Sequence, residues 1–139
     1  MNIDWIDNRL AISGSIDDYN QLTKECIIAV INVKGESHDD INELTKRGIS
    51  YFYIPIPDWM PPRKAQMDLF NRLLSKIKGK VLVHCELGIG RSGSLAISYL
   101  INSGKCKKLD DAFKYMRDIG HPVDGMWITQ LEKLRKHYG

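Results

Sequence analysis

A cysteine and an arginine separated by five residues form the pattern with the clearest chemical meaning in this sequence. The stretch reads His84-Cys85-Glu86-Leu87-Gly88-Ile89-Gly90-Arg91-Ser92. A cysteine thiolate is a nucleophile, and a guanidinium group can hold two oxygens of a phosphate at once. The spacing therefore indicates attack by Cys85 on a phosphate ester that Arg91 binds.

The segments on either side of this stretch predict how it is positioned. Residues 80–84 (KVLVH) are typical of a buried strand, and residues 94–101 (SLAISYLI) have the apolar spacing of a helix. A loop between a strand and a helix N-terminus presents backbone N–H groups and the positive end of the helix dipole to an anion. A helix N-terminus and a nearby cation also favour the thiolate form of a cysteine. The residues expected to bind phosphate are Glu86, Leu87, Gly88, Ile89, Gly90 and Arg91.

The combination of His84-Cys85, five residues and Arg91-Ser92 resembles the signature of the cysteine-dependent protein tyrosine phosphatases. The short chain is similar to the dual-specificity branch, especially to its small microbial and archaeal members. This resemblance implies hydrolysis of phosphotyrosine through a phosphocysteine on Cys85, with phosphoserine and phosphothreonine as further candidate substrates. Ser92 would donate a hydrogen bond to the sulfur and ease its departure, and His84 would orient the loop.

Asp58 is the candidate general acid and base. It lies in the segment Pro55 to Pro62, where four prolines in eight residues restrict the backbone. A departing ester oxygen needs a proton, and the resulting carboxylate can then accept a proton from the attacking water. The resemblance places such an aspartate in the loop after the preceding strand. A turn aspartate and a helix cap are the alternatives, and Trp59 either forms a wall of the pocket or attaches the loop to the core.

The order of the predicted elements indicates the fold. Apolar, β-branched runs at residues 27–33, 49–54 and 80–84 alternate with helical patterns, which is typical of an α/β fold. We expect one domain over residues 1–139, with a mainly parallel sheet of four to five strands flanked by helices. Ligands bind at the carboxyl ends of such strands, so the loops after Val33, Ile54 and His84 should meet at one edge.

Two helices carry more specific expectations. Pro62 is suited to the first position of the helix that follows the Asp58 segment. In the last helix we expect Gln130 to be exposed, although tyrosine-specific relatives have a glutamine near this place that holds the hydrolytic water. The residues expected to face inward there are Trp127, Ile128, Leu131 and Leu134.

Composition limits the other classes of function. The net charge is only +3 and no basic block stands out, so nucleic acid is not an expected partner. No run approaches the roughly 18 apolar residues of a membrane span, and three sparse cysteines without a targeting segment favour a reducing, cytoplasmic location. Metal-ligand spacing is absent, so neither metal nor cofactor is expected. We expect a monomer that acts on phosphorylated proteins.

Three alternatives remain at this point. An RNA 5′-triphosphatase or a small-molecule phosphatase fits the mild basic charge, although no concentrated basic groove supports it. A non-catalytic phosphoprotein-binding module would not need the complete set of Cys85, Arg91 and Asp58. A rhodanese-type sulfur transferase also uses a cysteine loop, but it needs no general acid and usually lacks the His-Cys pair.

Overall fold

A five-stranded sheet forms the centre of the computed structural model, which describes all 139 residues. The strand order is β1-β2-β5-β3-β4. Strands β2, β5, β3 and β4 are mutually parallel, and only β1 pairs in the antiparallel sense, with β2. The mainly parallel α/β prediction is therefore confirmed. The strands are β1 (Ile3–Trp5), β2 (Leu10–Ser13), β3 (Ile27–Lys34), β4 (Ser50–Ile56) and β5 (Lys80–His84).

Six helices cover the two faces of the sheet. The helices are α1 (Tyr19–Lys24), α2 (Ile41–Lys46), α3 (Lys64–Lys76), α4 (Arg91–Asn102), α5 (Leu109–Asp118) and α6 (Ile128–Tyr138). Helices α1 and α2 contribute Leu22 and Leu44 to a small apolar cluster on one face. Helices α3 to α6 pack in a larger cluster of 26 buried residues on the other face. None of the helices combines the length and the apolar character that crossing a membrane requires.

The sequence of β3 explains why both faces are covered. Its side chains alternate between the two clusters, with Val30 in the small one and Ile31 in the large one. Since both faces are buried, almost every residue in the strand must be apolar. Lys34 at the end of the strand is polar and partly exposed, whereas Asn32 is polar and completely buried.

Helix α3 begins two residues later than predicted. Lys64, and not Pro62, is the first helical residue, and Arg63 immediately precedes it. The Gln66 side chain accepts a hydrogen bond from the Arg63 backbone N–H at 2.8 Å, which satisfies a donor at the helix start. The prediction that Pro62 opens the helix is therefore wrong, because this side-chain cap sets the boundary.

Helix α6 faces the core with a different set of residues than predicted. Trp127 is 58% exposed and Ile128 is 57% exposed, whereas Gln130 and Leu134 are buried. Trp127 precedes the first helical residue, so its direction does not follow the helical repeat. The prediction of an inward Trp127 and Ile128 is wrong, and so is the prediction of an exposed Gln130.

Candidate active site

The carboxyl ends of the four parallel strands meet at one edge of the sheet, as expected for this class of fold. Strand β5 is followed by the cysteine loop (residues 85–91), and β4 by the Asp58 loop (residues 57–63). Cys85, Arg91 and Asp58 line one pocket together with Ile89 and Trp127. The structure therefore brings the predicted nucleophile, the predicted phosphate-binding arginine and the predicted general acid to the same cavity.

Cys85 is buried at the base of this pocket. Its sulfur lies 3.1 Å from the Ser92 hydroxyl oxygen and accepts a hydrogen bond from the Gly88 backbone N–H at 3.3 Å. Hydrogen bonds to a sulfur stabilise a negative charge on it. Ser92 is thus in the position that was predicted for a hydroxyl that assists the sulfur.

Two backbone carbonyls of the cysteine loop accept hydrogen bonds from other parts of the chain. The Ser15 N–H donates to the Glu86 carbonyl at 3.0 Å, and His121 Nε2 lies 2.7 Å from the Gly88 carbonyl oxygen. The C=O and N–H of one trans peptide point in opposite directions. The N–H groups of Leu87 and Ile89 therefore face away from these outer partners.

Four N–H groups of the loop are free to receive an anion. The backbone N–H groups of Glu86, Leu87, Ile89 and Gly90 donate to no other group of the chain. Successive free N–H groups beside a helix N-terminus form an anion site. Helix α4 begins at Arg91, directly after these residues.

Two glycines of the loop are required by close packing. Gly88 has a φ of +79°, and a side chain there would lie 2.8 Å from the Ser13 carbonyl. A side chain at Gly90 would lie 2.7 Å from the Gln130 side-chain oxygen. The loop therefore packs without space against β2 and α6.

Arg91 is completely buried and is held by Glu36, a residue that the sequence reasoning missed. Its Nη1 donates to Glu36 Oε1 at 2.5 Å and to the Ile56 carbonyl at 3.0 Å, and its Nη2 donates to Glu36 Oε2 at 3.1 Å. A guanidinium has five N–H donors. The two that remain, on Nε and Nη2, lie along one edge and are available for two phosphate oxygens.

The charges of this pair support each other. Burial by itself lowers the pKa of Arg91, but the hydrogen bond with Glu36 and the negative charges of Cys85 and Glu36 outweigh burial and raise it. The hydrogen bond from Arg91 lowers the pKa of Glu36, against a smaller opposing effect of burial. Both groups therefore remain charged at neutral pH.

The buried Asn32 positions the segment that carries Glu36. Its amide donates to the Ser37 carbonyl at 2.9 Å, and its side-chain oxygen accepts from the Lys34 N–H at 2.8 Å. The Gly35 N–H donates to the Ile56 carbonyl at 3.2 Å. A single polar residue inside the apolar run 27–33 was the signal that could have indicated this loop.

His84 lies behind the cysteine loop and is buried. Its Nε2 is 2.7 Å from Asp39 Oδ2, and its Nδ1 is 3.3 Å from the Cys85 carbonyl oxygen. These contacts place His84 where it can orient the loop and not in the pocket itself.

Asp58 reaches the pocket from an exposed loop. Its Oδ1 lies 3.7 Å from Arg91 Nη2 and accepts a hydrogen bond from the Trp59 N–H at 2.9 Å. Trp59 is 57% exposed and lines a neighbouring depression with Glu36, whereas Trp127 forms a wall of the pocket above Cys85. Neither role weighed for Trp59 in the sequence describes this position.

The Asp58 loop is attached to the start of helix α6. The Thr129 hydroxyl donates to the Trp59 carbonyl, and Gln130 Nε2 donates to the Met60 carbonyl at 3.1 Å. The Gln130 oxygen accepts from the Trp127 N–H at 2.9 Å. Gln130 therefore joins the Asp58 loop to α6, with one hydrogen bond at each end of its amide.

Acidic side chains surround the mouth of the pocket. The Glu86 side chain points outward and forms an ion pair with Lys34 and a hydrogen bond with Ser15. These hydrogen bonds lower the pKa of Glu86. Glu36 and Asp58 are the other partly exposed carboxylates nearby. No three His, Cys, Asp or Glu side chains come together in a way that could hold a metal ion.

Comparisons with known proteins identify the family. Residues 13–135 match the family model of the dual specificity phosphatase catalytic domain. Dual specificity protein phosphatase 18 of Homo sapiens is 30% identical over 132 residues, which cover 88% of this chain and 67% of the relative. The crystal structure of Tk-PTP in the active form has a TM-score of 0.80 at 27% identity and covers 96% of this chain and 94% of that one.

The fold is shared more widely than the sequence. The crystal structure of PTPMT1 has a TM-score of 0.81 at 20% identity, with 96% of this chain and 92% of that one covered. At this identity the likeness concerns the fold alone. On the sequence matches, this chain belongs to the dual specificity phosphatase family and is a protein phosphatase.

Proposed function

We propose that this chain hydrolyses phosphotyrosine in proteins through a phosphocysteine intermediate on Cys85. The observation that carries the proposal is the shared pocket of Cys85, Arg91 and Asp58, with free backbone N–H groups around the sulfur. The free N–H groups and the open edge of Arg91 are suited to a phosphoryl group, whose charge they would stabilise as it is transferred.

In the first step the Cys85 thiolate attacks phosphorus in line with the leaving oxygen. The S–P bond forms, the ester P–O bond breaks, and Asp58 gives its proton to the departing oxygen. Arg91 and the loop N–H groups hold the three equatorial oxygens of the phosphoryl group.

In the second step water attacks the phosphocysteine. Asp58, now a carboxylate, takes the proton of the water, the new P–O bond forms and the S–P bond breaks. The sulfur leaves as a thiolate, stabilised by the Ser92 hydroxyl at 3.1 Å and the Gly88 N–H. The product is inorganic phosphate, and the enzyme returns to its starting state.

The walls of the pocket favour an aromatic phosphoester. Ile89, Met126 and Trp127 provide apolar surface on which a phenyl ring can pack. The carboxylates of Glu36, Asp58 and Glu86 lie at the mouth, and only two cations, Arg91 and Lys34, pair with them. The surplus of one negative charge disfavours substrates with several phosphates. This arrangement supports phosphopeptides over triphosphate-ended RNA or polyphosphorylated small molecules.

We propose one phosphatase domain over residues 1–139, active as a monomer and without a metal. Support for one domain comes from the sheet, in which β2 near the start of the chain pairs directly with β5. The chemistry above uses only side chains and backbone of this chain.

A phosphopeptide panel tests the proposal. Peptides with phosphotyrosine, phosphoserine or phosphothreonine in one sequence context are incubated with the wild type and with Cys85→Ser, and phosphate release is measured. We expect turnover of the phosphotyrosine peptide by the wild type only, because serine is not ionised at neutral pH. Equal turnover by Cys85→Ser, or release from triphosphate-ended RNA alone, would refute it.

A further inference from the structure

His121 is in contact with the cysteine loop from a distant part of the chain. It lies in the turn between α5 and α6, and its side chain is 11% exposed. Its Nδ1 is 2.5 Å from Asp4 Oδ2 on β1, and its Nε2 is 2.7 Å from the Gly88 carbonyl oxygen. The imidazole therefore bridges the edge strand and the loop that surrounds Cys85.

Both partners of His121 can only accept hydrogen bonds. A carboxylate and a backbone carbonyl carry no hydrogen, and a neutral imidazole has only one N–H. Both contacts can be hydrogen bonds at the same time only if both ring nitrogens carry a proton. Only the imidazolium form of His121 can donate to both partners at once.

We propose that the His121 imidazolium is a positioning residue that makes phosphate binding depend on its own protonation. The Gly88 carbonyl shares a peptide with the Ile89 N–H, so an outward carbonyl turns this N–H toward the bound phosphate. A positively charged donor on the carbonyl also polarises the peptide and strengthens donation by its N–H. The inference rests on the proposed function, since it concerns the same phosphate site.

The cysteine loop also accepts a hydrogen bond from Ser15, and this contact differs in its chemistry from the one made by His121. The Glu86 carbonyl accepts from the Ser15 backbone N–H, which does not titrate in the physiological range. Of the two contacts, only the one made by His121 involves a group that can gain or lose a proton in this range, and a neutral ring has one N–H for two acceptors. The Gly88 N–H also donates to the Cys85 sulfur, so a change in this part of the loop affects both phosphate and nucleophile.

The charged surroundings of His121 come from three elements. Asp4 on β1 contacts the ring directly and also accepts from the Asn2 amide at 3.3 Å. Cys85 is reached through Gly88. On the side of α5 and the following turn, Arg117 is neutralised by its ion pair with Asp124 at 2.8 Å. The direct charge contact is therefore the favourable one with Asp4.

Oxyanion binding as a function of pH tests the role of His121. Tungstate is the probe, because it stays a dianion from about pH 6 to 9, and Cys85→Ser is the background, because it removes the titration of the thiol. Binding is measured by calorimetry for Cys85→Ser and for Cys85→Ser with His121→Arg. Arginine keeps a donor and a positive charge at every pH used, and His84 and Asp58 are the same in both proteins.

The pH is raised through the range in which a histidine ordinarily titrates, around pH 6.5. We expect tungstate binding to weaken roughly tenfold more in Cys85→Ser than in Cys85→Ser with His121→Arg. Identical pH dependence in the two proteins would overturn the inference. Nitrogen NMR of the histidine rings in Cys85→Ser decides the matter independently of whether His121→Arg folds. Two protonated nitrogens on His121 at the acid end of the tungstate series are expected, and a neutral ring there would overturn the inference.

Different results would refute the proposed phosphatase function and the proposed role of His121. If the wild type releases no phosphate from phosphotyrosine, the proposed function is wrong whatever the state of His121. If it does so but His121 is neutral or its replacement leaves the pH dependence unchanged, only the inference is wrong.

Discussion

Arg91 uses one edge of its guanidinium for protein partners, and the proposed mechanism uses the other edge for the phosphate. Glu36 and the Ile56 carbonyl accept three of its hydrogen bonds. The side chain is buried, and it is therefore fixed before any phosphate arrives. Preorganised donors stabilise a transition state without a reorganisation cost during the reaction.

Replacing Glu36 should reduce catalysis, because Arg91 loses the carboxylate that holds its guanidinium in position. We expect Glu36→Ala to lower kcat/KM for a phosphotyrosine peptide by about 10- to 100-fold, since a hydrogen bond between charged groups contributes about 1.5–3 kcal/mol. The measurement is steady-state kinetics at neutral pH.

Glu86→Ala is the matched control for this experiment. It also removes a carboxylate from the mouth of the pocket, but Glu86 contacts Lys34 and Ser15 and not Arg91. Its kcat/KM should stay within about threefold of the wild type, as for most surface changes. Equal losses in both variants would mean that rim charge, and not the orientation of Arg91, is what matters.

At the scale of residues, the sequence predicted the part of the site that lies within one short motif. Cys85, Arg91 and Ser92 are close in the chain, and the strand and helix around them determine how they meet. Glu36 and His121 could not be predicted in this way, because each is 30 or more residues from its partner in the loop. Their contacts depend on how separate strand ends come together.

Helix α6 determines the position of the Asp58 loop. Its first turn supplies Thr129 and Gln130, which bind two successive carbonyls of the loop, those of Trp59 and Met60. Trp59 has a φ of +57°, an unusual value for a bulky residue, and so depends on such contacts. The proposed general acid, Asp58, is therefore positioned by a helix that has no part in the proposed chemistry.

Thr129→Val should loosen the Asp58 loop without disturbing the fold, because Thr129 is exposed and the side chains have the same shape. The lost hydrogen bond contributes about 1 kcal/mol, so we expect about a fivefold lower kcat. The loss should appear with phenyl phosphate, whose leaving group needs a proton, and should be smaller with p-nitrophenyl phosphate.

Thr129→Ser provides the control, since it keeps the hydroxyl and should keep the wild-type ratio of the two rates. An equal loss of rate on both aryl phosphates in Thr129→Val would contradict the link between this contact and the general acid.

The ends and inner faces of the elements were harder to predict than their existence. The periodic apolar pattern indicated α3 and α6, yet the start of α3 depends on a side-chain cap by Gln66. The inner face of α6 includes Gln130, whose burial is compensated by hydrogen bonds to Trp127 and Met60. A pattern of apolar residues cannot reveal a buried amide with tertiary partners.

Across the whole molecule, Asp7 connects the β1–β2 turn to the central helix α4. Its side chain accepts hydrogen bonds from the Arg9 and Leu10 N–H groups, each at 2.8 Å, and from the Tyr99 hydroxyl. Burial alone raises the pKa of Asp7, but these hydrogen bonds outweigh burial and lower it. Burial and the hydrogen bond with Asp7 raise the pKa of Tyr99.

Tyr99→Phe should destabilise the protein in a manner that depends on pH. Because the pKa of Asp7 is lowered by folding, its contribution is fully present above the unfolded value of about 3.9 and is lost as the pH falls through the lower folded value. We expect a loss of about 1.5–3 kcal/mol in the free energy of unfolding at pH 7, which diminishes below about pH 4. Urea unfolding at several pH values measures it.

Tyr115→Phe is the comparison, because the Tyr115 hydroxyl donates to the Ile6 carbonyl at 2.5 Å, a partner without a titrating charge. Its loss should be constant over the same pH range. A pH-independent loss in Tyr99→Phe would show that Asp7 is not the relevant partner.

The class of fold was predictable at this scale and the strand order was not. Continuous apolar runs alternating with helices indicate a parallel sheet covered on both faces. They do not say which strands are neighbours, and β5 lies between β2 and β3. That order depends on long-range packing, for which the local sequence has no separate signal.

The central place of β5 in the sheet has a consequence for how the enzyme folds. Leu10 pairs with Val81 and Ile31 pairs with Val83, so both edges of β5 join parts of the chain that are far apart in sequence. Such non-local pairings form late and slow the folding of a domain. Regained turnover after dilution from denaturant therefore reports the completed topology, and partly assembled chains should be silent in an activity assay.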